Sequence, residues 1–398
     1  MIAADAAPTA EAVAAPTIGY VLGAFPVLSE TFVSGEMRAM QTLGARVAPF
    51  VFDLRPGGDV AEAEDLVRRA RRIADLPDIL PRGFCAAGLL GALALLRHLP
   101  IRARASAFRH ALRLAAAARE AGCGWLHSHF AGGAALHALA AAKLIGIGAS
   151  FTVHSGAFAR NFPSDRLIAP MVGAADLCVA VSADLEQALD AAGARRTALI
   201  PCGADLARFA RAPALAPNGR VLFVGRLIDC KGADDLLRAL SRLPEARRPG
   251  LDLVGDGPER LALEALARGL GLDARFLGPR PNAWLAERGS GYLGLAAPFR
   301  LGRDGQVDSA PVVLKEAMAL GLPIVTTRLG GVVETVGDAA AAVAPGDVDG
   351  LARALAALSG MTRAERAVRA ALSRSLAARF GRDAQAAALL SAILEARR

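Results

Sequence analysis

The sequence predicts an α/β protein built from two doubly wound parallel sheets, and three observations carry that reading. The chain has 398 residues, enough for two domains of ordinary size that each bury a core. In its second half, short apolar runs alternate with helical stretches, and β/α alternation folds into a parallel sheet covered by helices. Val221-Leu-Phe-Val-Gly225 is apolar without a break, as a strand buried on both faces requires, and just before it 211–219 holds Pro213, Pro217 and Gly219 with little periodicity. The expected organisation is therefore a disordered tail (1–15), a Rossmann-like domain (16–210), a linker (211–219), a second Rossmann-like domain (220–380) and a terminal helical segment (381–398).

The elements follow in order. Thr17 to Leu22 is a buried strand leading into Gly23-Ala-Phe-Pro-Val-Leu-Ser29-Glu30-Thr31, and a loop at the carboxyl edge of a parallel sheet is where backbone approaches a ligand. The plainer reading makes Ser29 a helix N-cap and leaves Glu36 solvated. A strand at 46–53 and helices at 60–72, 84–98 and 101–121 come next. The last carries Arg102, Arg104, Arg109, Arg113 and Arg119 among apolar residues, which suits either an anionic membrane or a helix whose arginines lie over the sheet. Strands at 124–130, 150–153, 176–181 and 197–201 complete the first half. His127 and His129 stand at alternate strand positions, but a metal needs a third and fourth ligand that their sequence neighbourhood does not offer. Arg226 and Lys231 follow the Val221 strand just before a helix from about Ala233 to Leu243, an arrangement suited to a diphosphate. Strands at 251–254, 274–277 and 292–297, with a helix at 281–288 between the last two, continue the alternation.

Composition excludes some classes. Net charge is +8, chiefly arginine, which suits phosphate-bearing substrates or an anionic membrane surface. Nucleic acid is disfavoured, since aromatics are 5% and no nucleic-acid-binding motif accompanies the charge. Five scattered cysteines with no Cys-x-x-Cys pair argue for a reducing compartment and against a zinc or disulfide framework. The N-terminus lacks a signal-peptide pattern, and the most lipid-like run, 84–96, is about half the length needed to span a bilayer. A cytoplasmic protein is expected.

The most informative stretch runs from Asp308 through Ser309, Ala310, Pro311, Val312 and Glu316 to Gly321 and Thr327. Pro311 can open a helix, Gly321 can end it, and a buried strand follows. The neighbours of Glu316 three and four residues away are apolar, so its carboxylate needs a partner from elsewhere in the fold or from a ligand. This segment, a carboxylate, seven residues, then Glu in Glu-Ala-Met-Ala-x-Gly-x-Pro-Ile-Val, resembles the signature of the retaining glycosyltransferases of family four, which have the GT-B fold. Phe-Pro-x-x-Ser-Glu-Thr-Phe at 25–32 is similar to the first loop of members that build exopolysaccharides such as colanic acid. The chain departs from the pattern in carrying Asp308 where Glu is usual and Ser309-Ala310-Pro311 where glycines are common.

The resemblance implies two Rossmann-like domains facing a cleft and transfer of a hexose-type sugar, without cofactor or metal, from a nucleotide diphosphate to a glycan or lipid-linked acceptor in polysaccharide synthesis. By motif position it casts Glu316 as the ribose ligand, Asp308 as the sugar-contacting carboxylate, and His154 as a cleft residue beside that sugar. Arg226, Lys231 and the N–H groups of Ser309, Ala310, Pro311's neighbour Val312 would hold the diphosphate, while Gly23, Ser29, Glu30 and Thr31 would line the acceptor side. It also implies that the last helix, 382–397, crosses back onto the first domain; a peripheral contact with anionic membrane at the inner face, where a lipid-linked acceptor would be found, is one of the two readings of the basic helix at 101–121. Two readings from other classes stay open: a catalytically silent sugar-nucleotide-binding scaffold, and a sugar-nucleotide epimerase on the same fold. Asp347-Val-Asp349 mimics a metal-binding phrase but is better read as a helix N-cap, and Gly255-Asp-Gly257 lacks the rest of a dinucleotide fingerprint.

Overall fold

The computed structural model describes residues 16–55, 63–84, 86–155, 166–303 and 305–397. Their strands form two sheets. The first contains β1 (Thr17–Phe25), β2 (Arg46–Leu54), β3 (Arg71–Arg72), β4 (Cys123–His129), β5 (Gly148–Val153), β6 (Leu177–Ala180) and β7 (Thr197–Leu199) in the order β3-β2-β1-β4-β5-β6-β7. The second contains β8 (Arg220–Val224), β9 (Gly250–Val254), β10 (Ala274–Gly278), β11 (Gly294–Ala297), β12 (Ile324–Thr327) and β13 (Ala340–Val343) in the order β10-β9-β8-β11-β12-β13. All neighbouring strands pair in parallel. Strand order reverses between β1 and β4 and again between β8 and β11, and such switch points open crevices at the carboxyl ends of the strands. The two crevices face each other.

Several elements are shorter than their sequence patterns. The helix expected over 60–72 is Glu64–Arg69, because Ala70 turns extended and Arg71 and Arg72 pair with Phe50 and Val51 as an edge strand; residues 60–62 lie outside the described ones. The apolar helix is Ala86–Leu96 and the basic one Ile101–Glu120. Ser29 does not cap a long helix but lies in a single turn, Leu28–Glu30, ahead of the Thr31–Thr42 helix.

The helix Val312–Leu320 begins at Pro311 and ends where Gly321 takes a left-handed conformation with φ 72°, a geometry glycine adopts without strain. It buries Leu314, Ala317 and Met318 against Tyr292 and Leu295 of the second core and Phe209 and Phe380 beside it. The chain then returns. The helix Arg382–Ala396 packs along Thr31–Thr42, and its Ala386, Leu389 and Ile393, spaced three and four apart, enter the first-domain core with Tyr20, Met37 and Met40. Between the sheets, Lys315 is fully buried and its Nζ donates to Cys202 O at 2.7 Å, while Ala183 N donates to Glu334.

Candidate active site

A cleft of about 520 Å³ lies between the sheets. Both switch points feed it. The segment after β1 supplies Glu30, Thr31 and Phe32, the ends of β4 and β5 supply Phe130 and His154, β8 leads to Arg226 and Lys231, and the Val312–Leu320 helix presents its first turn and Glu316.

On the second-domain wall, Lys231 Nζ is ion-paired with Asp308 and sits 5.0 Å from the centre of the Phe299 ring. Gly232 follows with φ 66°, and a side chain there would strike Pro298 O, so this close turn requires glycine. Arg226 is exposed at the mouth and acts electrostatically on Glu30 across the cleft. Glu316 is buried; its carboxylate accepts from Asn282 Nδ2, and burial pushes its pKa up to about 7 despite that bond and the positive Arg208. A carboxylate so placed has more acceptor capacity than its one neighbour uses, which suits a ligand carrying hydroxyl donors. Arg300 bridges Asp229, Asp234 and Asp235, and Arg303 bridges Asp229 and Glu259. The hydrogen bond from the Arg303 backbone N–H, with these guanidinium groups, holds the Asp229 pKa down at about 2. These contacts fasten the loop that leads from β11 toward Asp308 onto the start of the Ala233–Ser241 helix.

Asp308 also pairs its backbone with Ser155 of the first domain in a single antiparallel bridge. On that wall Glu30 lines the cleft, and burial raises its carboxyl pKa against the pull of His129, Arg226 and Arg55. The His154 ring lies between Phe32 and Phe130, centroids 4.8 and 4.7 Å away, and burial with the nearby His129, His127 and Lys315 keeps its pKa well below the usual imidazole value.

Several expectations need correction. Gly23 belongs to β1 rather than to the loop after it, and it lines a small side cavity behind Glu30 instead of the main cleft. Ser309 does not line the cleft: it is buried beneath Gly331, where a Cβ would fall on Ser309 O, and its Oγ has no partner among the described residues. Ala310, Pro311 and Val312 do line it, as do Glu30 and Thr31. Glu36 is not solvated but 1% exposed, and it meets both strand histidines, 3.3 Å from His129 Nε2 and 3.9 Å from His127 Nε2. The third group absent from the sequence neighbourhood of His127 and His129 thus arrives from the Thr31–Thr42 helix. The side chain of Ser29 lies outside the described ones. Asp347 accepts from Gly350 N as a helix N-cap.

Sequence reasoning missed Asn282 and Trp284, which line the cleft beside Glu316, and the buried contact of Lys315. Lys315 carried one signal: a cation on an otherwise apolar helix must find an acceptor. Asn282 carried none, since nothing in its spacing links it to Glu316.

Two parallel sheets with their switch points opposed across a cleft define the GT-B class. Within that class, the family model described as Glycosyltransferase Family 4 matches residues 37–208, and that described as Glycosyl transferases group 1 matches 218–360. The chain belongs to the family-four-like glycosyltransferases. D-inositol 3-phosphate glycosyltransferase of Actinosynnema mirum is 34% identical over 193 residues, 42% of this chain and 45% of that protein. WcaL of Escherichia coli K12, named for colanic acid biosynthesis, is 31% identical over 166 residues, 39% of this chain and 40% of its own length. These matches span less than half of the curated relatives. Among solved structures, Anabaena HepE in complex with UDP-glucose superposes with a TM-score of 0.71 at 19% identity, covering 94% of this chain and 99% of that one.

Proposed function

We propose that the protein transfers a hexose-type sugar from a nucleotide diphosphate to a glycan or lipid-linked acceptor, with retention of configuration and without a metal, in polysaccharide synthesis. The observation that carries this reading is the placement of buried Glu316, hydrogen-bonded by Asn282, with the Lys231–Asp308 ion pair and Arg226 in one cleft. In this reading the ionised Glu316 takes the ribose hydroxyls. Departure of the nucleotide diphosphate builds negative charge on its oxygens, and Arg226, Lys231 and the backbone N–H groups that open the Val312–Leu320 helix stabilise it. For that, Lys231 exchanges Asp308 for phosphate when the donor binds, which releases Asp308 toward the sugar. The acceptor attacks from the face the diphosphate leaves, handing its proton to the departing phosphate oxygen, so the carboxylates bind rather than serve as hydrolase acid and nucleophile.

The similar HepE structure is a complex with UDP-glucose, and one relative, from Mycolicibacterium smegmatis, is named as GDP-mannose-dependent, so UDP-sugars and GDP-mannose are the first donors to try. The test is a thermal-shift and turnover screen of wild type and Glu316→Ala against these donors with EDTA present. Stabilisation and slow donor hydrolysis in EDTA, both lost in Glu316→Ala, support the reading. No shift with any donor sinks it, a shift without turnover favours the catalytically silent binding protein, and isomerised donor without acceptor favours the epimerase.

We further propose a peripheral place at the inner membrane face for the helices Ala86–Leu96 and Ile101–Glu120. Leu80, Leu90 and Ile101 are exposed there, beside exposed Arg97, Arg102 and Arg109.

A further inference from the structure

We infer that Phe130 is a stacking platform which, with the Glu30 carboxyl beside it, binds a pyranose ring on the first-domain wall of the cleft, so that the acceptor presents a sugar rather than a bare lipid or a phosphate. This rests on the transfer reading only in calling that sugar the acceptor.

The backbone singles out Phe130. Among the described residues it is the one position outside glycine with a positive φ, 66°. In this left-handed region a Cβ crowds the following carbonyl oxygen, and glycine usually takes such turns. Glycines stand two and three places on, at Gly132 and Gly133, yet phenylalanine holds the turn. Its surroundings keep it there. Phe130 N donates to Thr152 O at 2.8 Å, extending the β4–β5 ladder past His129, and the His129 ring is stacked on Tyr20 with its Nδ1 2.9 Å from His154 Nε2. Below them Glu36 accepts from Tyr20 OH at 2.8 Å and from Gln385 Nε2 at 2.6 Å, which ties the floor of the turn to the returning helix. Strain imposed by well-fixed neighbours marks positions kept for function.

No packing role accounts for the ring. Phe130 is 39% exposed and joins neither first-domain core, although Ala131 after it and Phe32 beside it both pack there. Its ring faces the cleft instead, with its centroid 4.7 Å from that of His154 and 6.4 Å from that of Phe32, which it meets edge-on. Glu30 and Phe130 both line the main cleft and the side cavity of about 20 Å³, so carboxyl and ring are adjacent walls. Ser155, next to His154, bridges Asp308, and the platform therefore stands one ring beyond the junction with the second-domain wall.

A ring face beside a carboxyl complements a pyranose. The C–H bonds on the sugar's apolar face turn the positive ends of their dipoles toward the negative face of the aromatic ring, while hydroxyls at its edge donate to the carboxylate. A bare alkyl chain would use the ring but leave the carboxyl desolvated and unpaired. A phosphate would meet the Glu30 carboxylate on a wall where no described lysine or arginine lines the cleft.

The test is ¹H NMR of methyl α-glucoside, α-mannoside and α-galactoside titrated into protein saturated with UDP or, in parallel, GDP, for wild type, Phe130→Tyr, Phe130→Leu and Phe130→Gly. Octyl glycosides of the same sugars form a second arm. Protons lying over an aromatic ring move upfield, so for at least one sugar the ring C–H signals are expected to move upfield with wild type and Phe130→Tyr and to lose most of that shift with Phe130→Leu and Phe130→Gly. Equal affinity for methyl and octyl forms supports a free glycan end, and tighter octyl binding with the same sugar shifts supports a lipid-linked one. For whichever donor turns over with the shifted sugar, the acceptor KM should rise about tenfold in Phe130→Gly while the donor KM holds within about twofold. Phe130→Gly should melt no lower than Phe130→Leu, because glycine relieves the backbone. A lower melting temperature would make the ring a packing group and overturn the platform. So would shifts confined to the octyl chain, shifts that survive in Phe130→Gly, or none with any sugar. If Phe130→Gly does not fold, Phe130→Leu decides. Sugar shifts in wild type without turnover of any donor refute the transfer reading and leave the platform standing; turnover whose acceptor KM ignores Phe130 does the reverse.

Discussion

Lys231 and Asp308, a cation from the turn after β8 and a carboxylate from the approach to the Val312–Leu320 helix, are paired with each other inside the cleft. In the proposed transfer, a diphosphate entering this wall would compete with Asp308 for Lys231, so that its binding and the release of the carboxylate would be one event. Lys231→Ala is expected to lower donor turnover by about two orders of magnitude, the usual cost of losing one preorganised group aimed at developing charge. Asp308→Asn should lower turnover while leaving nucleotide diphosphate affinity within a few-fold, because Lys231 loses its competitor. Release of nucleotide diphosphate and equilibrium titration with it measure the two effects. Equal turnover in Lys231→Ala and wild type would remove Lys231 from the site.

Glu316 gives a prediction in pH. Its ordinary value is near 4.5 and burial raises it to about 7 in the folded protein, so between these values the folded state holds a proton that the unfolded state has lost. The stabilising contribution is fully present below about pH 4.5 and is lost as pH rises through 7, by roughly 3 kcal/mol for a shift of this size. Urea midpoints at pH 5 and pH 8 should therefore differ more in wild type than in Glu316→Gln. Identical pH dependence in the two proteins would show that Glu316 titrates normally.

The returning helix gives a prediction in stability. Ile393 is 0% exposed and packs in the first-domain core although it follows the entire second domain in sequence. Ile393→Ala should cost about 2–5 kcal/mol, as for other large-to-small core changes. The loss should appear in amide-exchange protection of β1 and the Thr31–Thr42 helix. Loss confined to the second domain would contradict the packing described.

What could be read from the sequence was what neighbours in sequence decide. Pro311 and Gly321 bound a helix wherever it sits, and Asp347 caps one through a residue three places away. The continuous apolar run at Val221 needs burial on both faces, and that places it in the middle of a sheet. By contrast, Glu36, His129, His154 and Gln385 come from four elements, and no periodicity relates them. Asn282 reaches Glu316 only because two helices converge. Ala340–Val343 went unread as a strand because three alanines lack the β-branched pattern that marks one; it forms because β12 offers it a ladder. The basic Ile101–Glu120 helix divides along the same line. Arg113 binds Asp78 and Arg119 binds Ile145 O, tertiary contacts that the sequence could not foretell.

That division sharpens the last prediction. The arginines of this helix that the fold already employs cannot also serve a lipid surface, which leaves exposed Arg102 and Arg109 with Arg97 on the preceding helix. On the same two helices Ile101 is 81% and Leu90 68% exposed, and Leu80 on the segment before them is 72% exposed. Binding to vesicles should need both parts: anionic lipid for the arginines, worth about 1 kcal/mol per charge near the surface, and insertion of the apolar residues. Co-sedimentation with vesicles containing anionic lipid is expected to exceed that with neutral vesicles and to weaken as salt rises. The double variant Leu90→Ser/Ile101→Ser should lose binding while keeping the wild-type melting temperature, since neither side chain is buried. Equal binding to neutral and anionic vesicles, or none to either, would mean that this face meets something other than a membrane.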